Sequence, residues 1–463
     1  MQKILALCLV LMVLLGSCKS AGKAEVNSLV ESSYVSDSAD VVDVPSESEE
    51  VSQQSVDEEA STEDTFPYIT YEMALQDYED LWEILELNYP HLESAEEVYQ
   101  VDYANVKQNH LTMIEGYTKP IILEDYFDDL YKIIKQFKYL GHLSLMDSDY
   151  FWTMCDMYES RFDDYDSKIA AQEIESDEFE KRYMEELKNV FRNEQVLRTY
   201  TYLGEESEIT ESISDMDMNA NENMQVEYIN DDTVYISVAS FMGNYVESDN
   251  EKFMEIYKTI NNYDNLIIDV RGNGGGTDAY WQENIVEPNI KKKLSILHYG
   301  IGKSGGVNKY LYEHNASTVN GARRVIERLP NIDMDLLDSM EYAEISVQWF
   351  TPDVSIPSFQ GEIYVLVDDG VYSATEGFVL MCKSSGFAKV VGTQTGGDGG
   401  LLKIREFALE GSGLTLRFST MLPLNADGSP NTPYGSTPDY VLNEGDDFVE
   451  ECLKIIESEG EGQ

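Results

Sequence analysis

The chain is short of positive charge, of cysteine and of histidine. Against 87 Asp and Glu it carries 32 Lys and Arg, a net charge of −55. A surface of that sign repels phosphate backbones and anionic bilayers, so nucleic acid is not expected as a partner. The five cysteines and five histidines form no HExxH helix and no cysteine pairs at ligand spacing, so neither metal nor cofactor is expected. With Cys8 and Cys18 near the start, Cys155, Cys382 and Cys452 remain. Three thiols cannot all pair, and they read as buried apolar side chains. No apolar run reaches the ~20 residues of a membrane-spanning helix; the longest, Ile4–Leu15, lies at the N-terminus. A dinucleotide fingerprint is missing too: Gly272, Gly274 and Gly275 have the wrong register, and no clear helical pattern follows them.

What is present is a globular composition, 42% apolar and 11% aromatic over 463 residues, too long for one ordinary domain. Residues 1–18 read as an export signal: Lys3, then Ile4–Leu15, then Leu15-Gly16-Ser17-Cys18, which resembles a bacterial lipobox. Cleavage before Cys18 and lipidation of its thiol would hold the protein at the outer face of a membrane; a plain secretory signal is the simpler alternative. Residues 19–66 are Ser, Glu, Asp and Val without periodicity, an acidic tether that cannot offset its ordering entropy. Residues 67–222 form an N-terminal helical domain. Leu75, Tyr78, Leu81, Ile84 and Leu85 recur at three- and four-residue steps until Asn88-Tyr89-Pro90. Further helices are expected at 102–115, 123–136 and across 151–202.

The core spans 223–452. Asp232–Phe241 alternates as a strand, 252–260 reads as a helix, and Leu266–Val270 is a strand ending in Arg271-Gly-Asn-Gly-Gly-Gly. Three consecutive glycines suit a loop presenting N–H groups to a ligand, or merely a flexible turn. A segment at about 290–360 interrupts the core, and its position suggests a lid or specificity element, or a surface excursion. Ile363–Val367 is then a buried strand and Asp368-Asp369-Gly370 breaks it. Ser373 opens a helix with Glu376 at capping-box spacing. A serine there has two readings, an N-cap or a nucleophile beside the free N–H groups of a helix N-terminus. Val390 lies in the next strand, 414–420 is another, and 447–456 a final helix.

DVRGNGGG, VLVDDGVYSATEG and VGTQTGGDGG, in that order, resemble the C-terminal processing (tail-specific) serine peptidases and the related tricorn core peptidases. The resemblance covers most of the chain after about residue 70. It implies an α/β fold, a ClpP/crotonase-like ββα spiral core with an N-terminal helical domain. It also implies a serine endopeptidase acting on peptides or proteins, which the export-signal reading of residues 1–18 makes membrane-anchored and extracytoplasmic. Ser373 matches the nucleophile, and Gly276 with Ala374 the oxyanion hole. Where tail-specific members carry a lysine base, this chain has Asp398. The tricorn-like branch uses a histidine instead, and His142 in YLGHLSLM matches that position with Leu140 and Leu143 departing from the motif. The competing histidines are His91, His110, His298 and His314, and the lysines that other folding would bring near are Lys383, Lys389 and Lys403. The family glutamate that would orient the histidine falls at Thr432, beside Asn431. No PDZ-like glycine loop is present. The altered motif keeps open a degenerate homologue that binds peptides or small apolar ligands.

Overall fold

The structure is a computed structural model that describes residues 66–170, 178–206, 223–314, 316–353, 355 and 358–460. The export signal, Cys18 and, apart from Phe66, the acidic tether lie outside the described residues.

Alternation of apolar side chains builds a central sheet buried on both faces. Its strand order is Tyr440–Val441, Lys389–Gly392, Glu362–Val367, Asn265–Asp269, Thr233–Val238, Met224–Tyr228. All neighbours are parallel except the last pair. Leu266, Ile268, Ile363, Val365, Val367 and Val390 face one side, where they pack with Phe253 and Tyr257 of the helix Val246–Thr259 and with Phe378 and Met381 of the helix Ala374–Ser385. Ile267, Tyr364, Leu366 and Val391 face the other, against Phe448 and Cys452 of the helix Phe448–Gly460. Near-continuous β-branched runs are what a parallel sheet covered on both faces requires. Cys382 is also fully buried, and Cys155 half-buried.

Ahead of the sheet, Thr70 caps the helix Tyr71–Asn88, its hydroxyl accepting from Met73 N–H. Pro90 cannot continue that helix. Asp102 caps Tyr103–Glu115. Leu123–Ile134 buries Leu123, Tyr126, Leu130, Ile133 and Ile134 at helical spacing. Their cluster includes Leu414, Leu416 and Phe418 from far along the chain. Across the 151–202 stretch the described helices are Ser148–Ala170, Glu178–Phe191 and Glu194–Glu206.

A small sheet carries the connection that matters for the site. Ile404–Ala408 pairs antiparallel with Thr415–Ser419, which pairs with Ser144–Leu145. Leu145 lies opposite Leu416 and Ser144 opposite Arg417. The segment just after His142 is thereby stitched to the C-terminal part of the chain.

The 290–360 segment is a built element. Leu294–Gly302 and Tyr342–Phe350 form a nine-residue antiparallel ladder, and Leu422–Leu424 adds a third strand. Of the helices within it, Ala316–Ile326 packs Ala322 and Ile326 against Tyr299 and Ile301. One expectation is overturned directly after the glycine loop: Thr277 caps a short helix, Asp278–Trp281. The helical run continues to Asn289 through a wide turn at Gln282–Val286, and that irregular turn breaks the 3.6-residue period.

Candidate active site

Ser373 stands between the strand Glu362–Val367 and the helix Ala374–Ser385 with φ 57° and ψ −121°. A non-glycine residue held at positive φ costs about 1–3 kcal/mol, so its surroundings must over-determine it. They do. Ser373 N–H donates to Gly397 O at 3.1 Å, Gly377 N–H to Ser373 O at 2.9 Å, and Tyr372 N–H to Asn273 O at 3.3 Å. The preceding turn is tied to the glycine loop by Asp368 Oδ1, which accepts from Gly370 N–H and Gly272 N–H.

The capping-box expectation is overturned. Ser373 occupies the N-cap position but its hydroxyl caps nothing. Glu376 is fully buried and turns away to accept from Asn431 Nδ2 and from Ser436 Oγ, each at 2.6 Å. At the cap, the backbone conformation of Ser373 aims its hydroxyl elsewhere.

That direction is His142, whose Nε2 lies 3.3 Å from Ser373 Oγ. His142 is buried, at 4% exposure, in a loop where Lys138, Tyr139, Gly141 and His142 all have positive φ. Tyr139 and Tyr372 pack edge-on against the imidazole. His91 lies flat beside Gly141, where a Cβ would come within 2.4 Å of its ring. Burial holds the imidazole pKa down to about 3, helped by the positive field of Arg417. The ring is therefore neutral at ordinary pH. Its Nδ1 is buried and meets no protein partner among the described residues.

Asp398, at the position of the family lysine, anchors this loop. Its Oδ2 accepts from Gly141 N–H at 2.8 Å and from the Tyr372 hydroxyl, and its Oδ1 accepts from the Thr432 hydroxyl. Burial pushes the carboxyl up to about 6, although each of these donors pulls it down. This role was not legible beforehand; an acidic residue in a glycine loop carries no sign of which backbone it will meet. Thr432, expected near the histidine, touches Asp398 and not the imidazole. Asn431 joins Glu376 to the glycine loop, its Oδ1 accepting from Gly399 N–H at 3.0 Å.

The second glycine loop is held against Ser373 by Asn273. Its Oδ1 accepts from Gly275 N–H at 3.0 Å and from the Thr375 hydroxyl at 2.7 Å, while its Nδ2 donates to Val238 O. A Cβ on Gly275 would sit 2.9 Å from Ser373 Cβ and 3.0 Å from Ala374 N. Gly276, at φ 141°, runs alongside Phe241. Among the described residues neither Gly276 N–H nor Ala374 N–H has a protein acceptor. Both residues line a cleft of about 590 Å³ together with Ser373. His298, Ser346 and Gln348 from the 290–360 segment line the same cleft.

The three lysines and two of the competing histidines are engaged elsewhere; the His314 side chain lies outside the described residues. Lys383 pairs with Asp439 at 2.9 Å, Lys389 with Glu459 at 2.6 Å, and Lys403 with Glu344. His110 accepts from Trp82 Nε1, and His298 bonds Gln348 at 2.6 Å. Among the described residues no cluster of His, Cys, Asp and Glu is arranged to hold a metal ion, and no helix is long and apolar enough to cross a membrane.

Residues 232–442 match peptidase family S41. No curated protein matches the chain by sequence. Among solved structures, the chain is similar to a candidate peptidase from Parabacteroides merdae, at 19% identity and a TM-score of 0.48, with 82% of this chain and 96% of that one covered. It is similar to a lipoprotein from Streptococcus agalactiae at 12% identity and a TM-score of 0.43, covering 83% and 96%. Mature CPAF aligns at 13% identity and a TM-score of 0.47, covering 80% and 93%.

Proposed function

Residues 232–442 belong to peptidase family S41 and the chain is a serine-type peptidase, and from that premise we propose that Ser373 is its nucleophile and His142 its general base. The core is the expected ClpP/crotonase-like α/β spiral, preceded by the helical region. The observation that carries the proposal is the 3.3 Å approach of Ser373 Oγ to His142 Nε2, made by a serine at a helix cap whose hydroxyl does no capping.

In the acylation step the Oγ–H proton passes to neutral Nε2 as Oγ bonds the scissile carbonyl carbon. The carbonyl oxygen becomes an oxyanion, and the N–H groups of Gly276 and Ala374 receive it. The imidazolium then returns the proton to the leaving amine as the C–N bond breaks. Water repeats the sequence on the acyl-enzyme. A buried imidazole with a low pKa is a weak base in the resting enzyme, so the charge it gains must be stabilised as the reaction proceeds. Asp398 supports this geometry from behind. It acts as a positioning residue, holding the strained backbone of the histidine loop and not the ring.

The same reading extends to residues 1–18 as an export signal and to Cys18 as a lipidated N-terminus anchoring the enzyme outside the cytoplasm. Support comes from the Leu-Gly-Ser-Cys run after an apolar core. Loss of acyl label from a Cys18→Ala chain fed a radiolabelled fatty acid is the expected result. Retained label would remove the anchor.

The direct test of the catalytic assignment is fluorophosphonate labelling of Ser373 at neutral pH, in wild type and in His142→Ala. Labelling lost in the variant is expected. Labelling that survives would make His142 structural. A wild type unlabelled at every pH would favour a binding homologue, a reading that the partnerless His142 Nδ1 motivates.

A further inference from the structure

The cleft beside Ser373 contains one carboxylate, Asp278, and no lysine or arginine. It lies two residues after Gly276 and at the first turn of the nucleophile's helix, 3.4 Å from where a Cβ on Gly377 would be. Its Oδ1 accepts from Trp281 Nε1 at 3.1 Å. Its Oδ2 has no protein partner among the described residues, and the residue is exposed within the cleft. The rest of the lining is mixed: Thr277, Ser346 and the hydrogen-bonded pair His298–Gln348 are polar, and Trp281, Val347, Leu401 and Leu402 supply apolar walls along which the stem of a long cationic side chain can lie.

A lone carboxylate in this place has two consequences. It opposes the negative charge that develops on the oxyanion held next to it, because like charges in a partly desolvated cleft repel more strongly than in water. The same desolvation already pushes its pKa above the ordinary carboxylate range. A cation on the substrate removes both penalties at once, through a charge-assisted hydrogen bond to the free oxygen. An apolar side chain would leave Oδ2 without a partner in a cleft it has partly dried.

We propose that Asp278 selects substrates with a basic side chain, lysine or arginine, on the residue whose carbonyl carbon Ser373 attacks. The proposal rests on the serine-peptidase reading of this cleft. The net charge of −55 acts in the same direction by drawing cationic peptides toward the enzyme, an effect that salt weakens and the Asp278 contact resists. The nine-residue ladder of the 290–360 segment contributes the wall that His298, Ser346 and Gln348 form, which makes it part of the specificity cleft.

The test uses the full chain with peptidyl diphenyl phosphonates that differ only in the side chain next to phosphorus: lysine, leucine or glutamate. A small uncharged fluorophosphonate runs beside them. Wild type is expected to react with the lysine probe about 10- to 100-fold faster than with the leucine probe, and slowest with glutamate. In Asp278→Asn the lysine-to-leucine ratio should fall toward one; asparagine still accepts from Trp281, so a matching thermal transition will show an intact fold. A wild-type ratio near one, or a ratio unchanged in Asp278→Asn, overturns the proposal while labelling by the fluorophosphonate leaves the peptidase reading standing. Labelling by the fluorophosphonate with no reaction of any peptidyl probe also overturns it. No labelling by any probe overturns both.

Discussion

Asp398 Oδ2 accepts a hydrogen bond of 2.8 Å from the backbone N–H of Gly141, the residue before His142. A carboxylate from the glycine loop beside Ser373 thus holds the loop that presents His142. Neither partner touches the imidazole by this bond, yet the same glycine loop reaches both ends of the Ser373–His142 pair. Ser373 N–H is bonded to Gly397, the neighbour of Asp398.

Removing that anchor should slow Ser373 labelling without unfolding the chain. In Asp398→Ala the Gly141 N–H, the Tyr372 hydroxyl and the Thr432 hydroxyl all lose their acceptor. A fall in the labelling rate of about 10-fold or more is expected, with about 1–3 kcal/mol of stability lost. Asp398→Asn, which keeps one acceptor, should recover part of the rate. Equal rates in Asp398→Ala and wild type would show that the histidine loop holds itself.

The pH dependence should identify the same group. Burial pushes Asp398 up to about 6 and holds His142 down to about 3. Above pH 6 the carboxylate accepts its three donors as an anion; below it a proton occupies part of that capacity. Tyr89, Tyr99 and Glu376 face the same charge. The labelling rate of wild type is expected to fall on acidification with a midpoint near pH 6. That limb should be missing from Asp398→Asn. If it persists there, the titration belongs to another group.

Gly275→Ala should disable the site through backbone contact alone. The added carbon would lie 2.8 Å from Tyr372 O and 2.9 Å from Ser373 Cβ, at a residue with φ 107°. The loop must retreat from Ser373, carrying the Gly276 N–H with it. Loss of one oxyanion donor costs ~10²–10³ in rate. Labelling by the fluorophosphonate should drop by about that factor, and a variant within three-fold of wild type would place the oxyanion donors elsewhere.

Lys383→Met and Lys403→Met should label at rates within about two-fold of wild type, because each lysine is paired with a carboxylate, Asp439 or Glu344. A loss of labelling in either would restore a lysine base and demote His142. The comparison is informative only alongside His142→Ala, measured in the same experiment.

Acid should destabilise the fold through its buried histidines. His91 and His142 are held down to about 3 and His110 to about 4 by burial, against ~6.5 in an unfolded chain. Below 6.5 the unfolded state takes up protons that the folded state refuses, so stability is lost as pH falls toward those values. Asp77 and Asp398, pushed up to about 6, act oppositely: the stability they contribute is greatest below ~3.9 and is lost as pH rises through 6. Asp278, Glu376 and Glu406, also raised by burial, act with the two aspartates, so the histidine term is read by difference: from pH 6.5 to 4 the melting temperature of wild type should decline relative to that of a chain lacking one buried histidine. In His110→Gln the decline should be shallower by the uptake of about one proton; an unchanged slope would show that His110 is protonated in the folded chain.

The sequence by itself determined what is local. The strand Glu362–Val367, the Asp-Asp-Gly break and the helix after Ser373 are each written within a few residues, as alternating apolar side chains, turn formers and a helical face. The glycine loop after Asn265–Asp269 is equally local. The apolar periodicity that begins around Tyr71 and the stop at Asn88-Tyr89-Pro90 locate the first helix, Tyr71–Asn88. Tertiary structure decided the rest, because it depends on contacts between distant segments. His142 reaches Ser373 across 231 positions, and it does so because Ser144–Leu145 pairs with Thr415–Ser419. Glu376 sits at capping spacing, yet burial beside Asn431 and Ser436 offered its carboxylate better donors than a cap. Asp398, which in the sequence reads only as the absence of a lysine, finds its function 257 positions away. A carboxylate buried in a fold must be given donors, and which ones it meets is known only once the chain has closed around it.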